Sequence, residues 1–356
     1  MFPPEHPYWV FIPHTGLHGK CYLLDPIAHY QRNAFVMVPY CAQGRTNPAF
    51  YRVTGSFDAV LPEPDHKKQA CTIQPSLTRE AYLEKIATIQ AHLQRGDIYE
   101  INFCMHFDVE GPIDPLLTFS RLYHISQAPY AMLACINGEY VLCASPELYL
   151  KKTGNHLMSK PIKGTAPRGK TPQEDERLKY ALQHSLKDRT ENVMAVDVAR
   201  NDLSMIAAKG TVKTKQLYAI ESFATVHQMV TTVECDLKEN LCPNATENNE
   251  AAVFATIMDA TFPMASMTGA PKSSAVRLAE QLEGFDRQMY SGTMGFIDVN
   301  GDFELPVIIR SLFLNPALNR GWYAAGGAIT VLSDATAEYE ECLLKAHAMR
   351  KAVVGE

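Results

Sequence analysis

Hydrophobic and polar residues alternate most regularly along the stretch from position 99 to position 109. One face is apolar and carries Tyr99, Ile101, Phe103, Met105, Phe107 and Val109. The other face is mostly polar and carries Glu100, Asn102, Cys104, His106 and Asp108. A period of two residues predicts a β-strand. The polar face of this strand either meets solvent or lines a site.

Helical periodicity appears before this strand and again later in the chain. Thr78 is a candidate N-cap, and Gly96 is expected to end the first helix. Its apolar face carries Tyr82, Ile86, Ile89 and Leu93. Similar patterns predict helices over residues 174–208, with a break near Asp188, and over residues 249–259, 273–282 and 335–353.

Turn residues between short apolar runs predict several β-hairpins. Asn137-Gly138 is a strong hairpin signal, and further turns are expected at residues 153–155 and 300–301. The last hairpin returns through residues 307–310, and another strand covers residues 322–324 and runs into two glycines. Before position 76, one buried strand is expected at residues 34–38, in a mostly irregular segment.

Two blocks of antiparallel strands, with helices between and after them, predict an α+β fold rather than alternating β–α–β units. We expect residues 1–75 to form a short N-terminal segment packed on the core. Residues 76–356 are expected to form one compact unit that carries the function.

Composition and charge exclude several classes of protein. The 356 residues carry a formal net charge of −6, with no basic face for nucleic acid. No apolar run is long enough to span a membrane, and no signal peptide is visible. The nine cysteines show no zinc-like spacing. These observations favour a cytoplasmic protein with reduced thiols and without a nucleic-acid or membrane partner.

Lys163 is a candidate nucleophile in the segment Ser159-Lys160-Pro161-Ile162-Lys163-Gly164-Thr165. Pro161 fixes its own φ, and Gly164 permits backbone angles that a side chain disfavours. A tight turn of this kind is expected to direct the lysine into a cleft. Desolvation there is expected to lower the pKa of the amine and free it for attack. The alternative is a solvated lysine in a surface loop.

Glu147 lies sixteen residues before Lys163, and the segment between them has the pattern of a hairpin. The two ends of a hairpin return side by side, which is expected to place this carboxyl near the lysine. A general acid beside a nucleophile suits covalent catalysis. A plain ion pair is the alternative.

Two predicted helices carry carboxylates at positions that share a face. Glu338 and Glu341 are spaced i and i+3, with Lys345 four residues further on, and Asp188 and Glu191 have the same spacing. Two such helices could hold one Mg²⁺, which prefers oxygen ligands. The alternatives are a solvated acidic patch and an acidic pair that complements a helix dipole.

Glycine-rich segments around Gly164, Gly269 and Gly327 would let backbone N–H groups approach an anion. Arg310, expected on a strand, has the shape to bind a carboxylate through two hydrogen bonds. These features together describe a cleft for a small polyanionic molecule.

The chain resembles the chorismate-utilising enzyme family, whose motifs occur here in the family's order between about positions 78 and 352. The matching segments are 96–102, 145–147, 161–165, 191–197, 199–203, 268–272 and 338–341. The resemblance implies two largely antiparallel sheets packed face to face, with helices outside. Relatives that form anthranilate, isochorismate or salicylate usually carry Ala where this chain has Lys163. The Pro161–Thr165 pattern is similar to the branch that aminates chorismate at C4, the aminodeoxychorismate synthases.

By this resemblance, Glu191, Glu338 and Glu341 hold Mg²⁺, with Asp188 behind them. The substrate-binding residues it implies are Gly164, Thr165, Tyr290, Arg310, Gly327 and Lys345. Glu147 protonates the departing C4 hydroxyl while Lys163 adds to C2. Ammonia then attacks C4 and expels the lysine, giving 4-amino-4-deoxychorismate for folate synthesis. Alternatives are an anthranilate synthase component I and a non-catalytic chorismate-binding paralogue.

The resemblance also has limits at particular positions. Relatives commonly carry Gln at the position of Glu100, and isochorismate- and salicylate-forming relatives carry a water-activating Lys there. Many relatives carry a His that aligns with Gln228, whereas His227 lies one residue earlier. No clear tryptophan-binding motif precedes the core. No Gly-x-Cys-x-Gly loop of a glutaminase is present, so the resemblance implies a separate glutamine amidotransferase subunit that supplies ammonia.

Overall fold

The computed structural model describes residues 2–3, 6–41, 46–223, 226–241 and 247–355. The helices are α1 (Arg79–Arg95), α2 (Pro115–Ser126), α3 (Pro172–His184), α4 (Leu186–Ile206), α5 (Glu247–Thr261), α6 (Lys272–Glu283) and α7 (Ala335–Val354). None of the described helices is both long enough and apolar enough to cross a membrane.

The first nine strands are β1 (Tyr8–Thr15), β2 (His18–Ile27), β3 (Ala34–Val38), β4 (Ala49–Val60), β5 (Thr72–Pro75), β6 (Glu100–Glu110), β7 (Tyr130–Ile136), β8 (Glu139–Ser145) and β9 (Leu148–Thr153). The later strands are β10 (His156–Ser159), β11 (Ile162–Pro167), β12 (Lys213–Ser222), β13 (Val226–Asp236), β14 (Gly269–Ala270), β15 (Thr293–Ile297), β16 (Phe303–Pro306), β17 (Ser311–Asn315) and β18 (Arg320–Thr330).

These strands pair antiparallel in one continuous hydrogen-bonded network. One half of the network runs β5–β6–β18–β17–β8–β7–β1. The other half continues from β1 through β2–β4–β3–β15–β16–β9–β10–β13. Strand β13 also pairs with β11 and β12, and β6 pairs with the short β14.

Two hydrophobic cores lie on opposite faces of the first half of the network. Along β7, Met132 and Ala134 belong to one core, whereas Ala131 and Leu133 belong to the other. In the first core, side chains of these strands pack against the second half of the network and against α4 and α5. The second core covers the outer face with α1, α2, α6 and α7. The predicted α+β class, with packed antiparallel layers and helices outside, is confirmed, although hydrogen bonds join the two layers through β1 and β2.

Most predicted elements are present. Thr78 caps α1 by accepting a hydrogen bond from Ala81 N, and Gly96 ends the helix with a left-handed φ of 79°. The hairpin of β7 and β8 turns at residues 137–138, as predicted. The break in the long helical stretch lies at Ser185, three residues before its predicted position.

Two predictions about elements are wrong, and three elements were missed. Residues 8–75 contain five strands rather than one, because the irregular hydrophobic pattern there hides pairings with β7 and β15. Residues 307–310 form no strand, because the chain leaves the sheet between β16 and β17. Helix α2 and strands β12 and β13 were not predicted.

A buried ion pair at the end of α6 fixes that helix against β6. The Arg287 guanidinium donates to the Glu283 carboxylate at 2.5 Å, and each side chain is only 2% exposed. Arg287 also donates to Asn102 O, and Glu283 accepts from Cys104 N. The ion pair therefore also provides hydrogen-bond partners for two buried backbone groups of β6, Asn102 O and Cys104 N.

We predict that Glu283→Ala lowers the free energy of unfolding by about 3–5 kcal/mol, because it leaves a buried guanidinium without its counter-ion. Urea denaturation followed by circular dichroism measures the change. The control is Glu176→Ala, which removes an exposed i,i+3 pair with Lys179 and should cost less than about 1 kcal/mol. Equal losses in the two variants would contradict the importance of burial.

Candidate active site

A cavity of about 880 Å³ brings together almost all of the residues singled out from the sequence. Strands β6, β11, β13 and β18 and helices α4 and α7 contribute to its walls. The predicted site residues that line it are Glu147, Lys163, Gly164, Thr165, Asp188, Glu191, Tyr290, Arg310, Gly327, Glu341 and Lys345. Glu338 lies just behind the wall, with Oε2 3.4 Å from where a Cβ on Gly327 would stand.

Lys163 lies in a bulged strand rather than in the predicted tight turn. Within β11, Ile162 pairs with Val230 and Thr165 pairs with Gln228, so the register shifts between them. Gly164 has a φ of 94°, and a Cβ there would lie 2.8 Å from the Asp188 side chain. Glycine is therefore needed both for the backbone angle and for the approach of α4. The bulge turns the Lys163 side chain into the cavity, where it is 8% exposed.

The Lys163 ammonium is paired, and this pairing changes the expected ionisation of the amine. Nζ donates to Glu100 Oε1 at 2.7 Å, and the glutamate is 2% exposed. Burial acts to lower the pKa of Lys163, but the carboxylates of Glu100, Glu191 and Glu147 raise it above its ordinary value. The expectation of a lowered pKa is therefore wrong, because the carboxylate partners outweigh desolvation.

Glu147 is a buried carboxyl on the link between β8 and β9. The hairpin of β9 and β10 returns the chain so that Lys160 N donates to Leu148 O, which brings Glu147 and Lys163 to the same cavity, as predicted. Burial raises the pKa of Glu147 to about 7, although a hydrogen bond with Ser266 and the charge of Lys163 act to lower it. This carboxyl is poised to carry a proton near neutral pH.

The carboxylates of α4 and α7 converge on one cation, the Lys187 ammonium. Lys187 Nζ lies 3.1 Å from Glu338, 3.5 Å from Glu341 and 3.9 Å from Glu191. Glu191 Oε1 is buried and accepts no hydrogen bond from the described residues. Burial raises the pKa of Glu191 to about 7, against the charges of Lys163 and Lys187. The neighbouring Asp188 lies in the first turn of α4.

Basic and polar groups also line the cavity, next to these carboxylates. Lys345 Nζ donates to Gly326 O at 3.0 Å and lies 2.7 Å from Glu341. A Cβ on Gly327 would lie 3.3 Å from that ammonium, so glycine keeps this wall open. Arg310 donates to Lys345 O and has a left-handed φ of 52°, in a link between strands rather than on the predicted strand. The ring of Tyr290 is 3% exposed.

Polar lining residues that were not identified as site residues from the sequence include Lys187, Asn102, Gln228 and Ser266. Alternation along β6 already places Asn102 with Glu100 on the polar face, but the alternation of β13 was not recognised. Gln228 Oε1 is buried without a hydrogen-bond partner among the described atoms. His227 faces the other side of β13, where its ring meets Ser222 at 2.8 Å and Asp175 at 3.0 Å. The imidazole of His227 therefore lies outside the cavity lined by Gln228.

The sequence model of a family described as chorismate binding enzymes matches residues 33–351. The chain belongs to this family. Among curated relatives, it is 37% identical over 300 residues to an aminodeoxychorismate synthase of Streptomyces griseus, covering 82% of the chain and 40% of that relative. It is 34% identical over 279 residues to aminodeoxychorismate synthase component 1 of Escherichia coli, covering 78% of the chain and 58% of that relative. The chain thus matches only part of the length of each relative.

Solved structures show the same fold at low sequence identity. The anthranilate synthase component I of Streptococcus pneumoniae aligns with a TM-score of 0.74 and 19% identity, over 91% of this chain and 82% of that chain. The menaquinone-specific isochorismate synthase MenF of Escherichia coli aligns with a TM-score of 0.77 and 14% identity, over 98% and 88%. These likenesses establish the fold alone.

We predict that Glu147→Gln changes the pH dependence of stability. A folded-state pKa of about 7, above the ordinary 4.5, means that the native carboxyl keeps its proton when the unfolded one loses it. The wild-type chain therefore loses stability relative to the glutamine variant as pH rises from roughly 4.5 to 7. The total is about 3 kcal/mol. Urea denaturation of both proteins at about pH 5 and pH 8 measures this difference. A difference that is the same at both pH values would contradict it.

Proposed function

We propose that this chain aminates chorismate at C4, forming 4-amino-4-deoxychorismate for para-aminobenzoate and folate synthesis. The observation that carries the proposal is the placement of a buried lysine and a buried carboxyl, Lys163 and Glu147, in one cavity of a chorismate binding enzyme. Relatives named aminodeoxychorismate synthase, at 34–37% identity, support the same activity.

The cationic side of the cavity suits the two carboxylates of chorismate. Arg310 offers a guanidinium, and Tyr290 offers a phenol, for the enolpyruvyl carboxylate, with the open backbone at Gly327 beside them. Gly164 and Thr165 line the wall next to the reacting lysine, and Lys345 adds a positive charge. In this arrangement the chorismate ring lies between the Lys163 amine and the Glu147 carboxyl.

The first chemical step exchanges the C4 hydroxyl for a bond to the enzyme. The Lys163 amine adds to C2, the C1=C2 and C5=C6 double bonds shift to C1=C6 and C4=C5, and the C4–O bond breaks. Glu147 gives its proton to the departing oxygen, which leaves as water. A carboxyl with a pKa of about 7 is still partly protonated at neutral pH and can act in this way.

The second step places nitrogen on C4. Ammonia attacks C4, the two double bonds return to C5=C6 and C1=C2, and the C2–N bond to Lys163 breaks, which regenerates the amine. The ionised Glu147 is placed to take a proton from the new ammonium group. We propose that ammonia comes from a glutamine amidotransferase subunit, as the "component 1" in two relatives' names suggests a second component.

We also propose Mg²⁺ as the cofactor, held by Glu191, Glu338 and Glu341 with Asp188 behind them. Among the described residues, no set of three or more His, Cys, Asp or Glu side chains stands ready to hold a metal ion. The donor chemistry nevertheless fits, since three carboxylates already converge on a cation and Glu191 has an unused buried oxygen. The metal would neutralise the ring carboxylate of chorismate, and Lys187 would have to withdraw.

We predict that the wild-type chain, given chorismate and Mg²⁺ without ammonia, gains a trappable covalent adduct on Lys163 and that Lys163→Ala gains none. Added ammonia should yield 4-amino-4-deoxychorismate. Intact mass spectrometry with peptide mapping detects the adduct, and liquid chromatography identifies the product. Lys160→Ala is the control, because that lysine is paired with Glu221 and does not line the cavity.

Two results would contradict this function. Fluorescent anthranilate formed without a lyase would assign the chain to an anthranilate-forming reaction. Tight chorismate binding with no turnover by the wild-type chain, in any condition that supplies ammonia, would indicate a non-catalytic chorismate-binding protein.

We predict that Lys187→Met strengthens the binding of Mn²⁺, used as a spectroscopic substitute for Mg²⁺, by several-fold or more. The lysine competes for the same carboxylates, so removing it frees them for the metal. The metal-free variant should also unfold at a lower temperature, because the carboxylates then repel one another. Titration calorimetry and thermal denaturation measure both effects, with Lys179→Met as the exposed control. Weaker metal binding in Lys187→Met would show that the lysine supports the metal site instead.

A further inference from the structure

We propose that Glu100 is the base that takes the proton from Lys163 when the lysine attacks chorismate. The inference rests on the proposed function, since it assigns a role within that reaction.

The contact between the two side chains is short and shielded from water. Lys163 Nζ donates to Glu100 Oε1 at 2.7 Å, with the two side chains 8% and 3% exposed. The backbone of Glu100 is held between neighbouring strands, opposite Ala270 of β14 and Thr330 of β18. The strand pairing therefore fixes the backbone from which the carboxylate extends.

A protonated amine has no lone pair and cannot attack carbon. Here the carboxylates around Lys163 favour the ammonium form. A productive attack therefore needs an acceptor for one proton inside the cavity. Bulk water is a poor acceptor for this proton because the pair is buried.

The other charged groups around Lys163 have different tasks. Glu147, on the link between β8 and β9, is the proton donor to the leaving hydroxyl. Glu191, on α4, lies 3.9 Å from Lys187, the Asp188 side chain of α4 lies against Gly164, and Lys345, on α7, pairs with Glu341. Glu100, by contrast, accepts a hydrogen bond from Lys163 Nζ.

The proton balance closes around the cycle. Glu100 takes one proton from the ammonium, and the neutral amine forms the bond to C2 while Glu147 protonates the leaving oxygen. When ammonia later displaces the lysine from C2, the amine leaves neutral and recovers its proton from Glu100. The ion pair is then restored, and the net reaction consumes chorismate and ammonia and releases the aminated product and water.

The test compares Glu100→Gln with the wild-type chain at about pH 6 and about pH 8. Glutamine keeps the size of the side chain but cannot take up a proton. Glu100→Asp retains a carboxylate. Asp202→Asn is the matched control, because it removes the partner of another buried lysine, Lys272, outside the cavity. Two quantities are measured by mass spectrometry: the rate of adduct formation on Lys163 without ammonia, and the trace labelling of Lys163 by acetic anhydride without substrate.

The Glu100→Gln variant should be labelled more readily than wild type, since the carboxylate that favours the ammonium is gone. It should nevertheless form the adduct more slowly. Relative to wild type, the loss should be about tenfold or more larger at pH 6 than at pH 8. Glu147 and Glu191 still face the amine, so at low pH solvent must remove the proton that Glu100 would have taken. Glu100→Asp and Asp202→Asn should each show similar ratios to wild type at the two pH values.

A loss in Glu100→Gln that is the same at both pH values would assign Glu100 a structural role and overturn the proposal. Unchanged labelling of Lys163 would overturn it as well. If the wild-type chain forms no adduct at either pH, the proposed function fails and the role of Glu100 fails with it. If wild type forms the adduct and only the pH ratio is absent, the function stands and the role of Glu100 alone is rejected.

Discussion

A buried ion pair between Lys163 and Glu100 links two of the strands that form the walls of the cavity. The lysine lies on β11 and the glutamate on β6, two strands that belong to different halves of the hydrogen-bonded network. An unpaired charge of either sign at these depths would be costly, so each residue requires the other. The pair therefore links the two halves of the network beside the cavity and favours the ammonium form of Lys163.

The rest of the site follows the same rule that buried charge must be balanced. Three carboxylates on α4 and α7 surround Lys187, and Lys345 pairs with Glu341. Glu147 lies farther from a cation than these carboxylates do. Burial raises its pKa to about 7, so this carboxyl keeps its proton at a higher pH than an ordinary glutamate. One cavity thus contains a carboxylate that stabilises an ammonium and a carboxyl that can act as an acid. Their different environments separate the two roles.

The fold supports this arrangement without specifying the reaction. Solved relatives with TM-scores of 0.74 and 0.77 and identities of 14–19% include an anthranilate synthase component and an isochorismate synthase. Proteins with different named products therefore share the strand network. The chemistry depends on the few side chains at the cavity. In this chain they include Lys163, its partner Glu100, and Gln228.

Local patterns in the sequence were sufficient for the α+β class, for helix α1 with its caps, for the β7–β8 hairpin and for most of the residues that line the cavity. These features depend on periodicity, turn chemistry and ordered motifs, which are encoded within short segments. The pairings of β1 with β7 and β3 with β15 could not be predicted in this way, because they join residues far apart in the chain. Lys163 and Glu100 are likewise far apart in the chain, separated by 63 residues. The sequence supplied a lysine and an acid, but only the tertiary structure placed them 2.7 Å apart and so decided that the lysine is held as an ammonium.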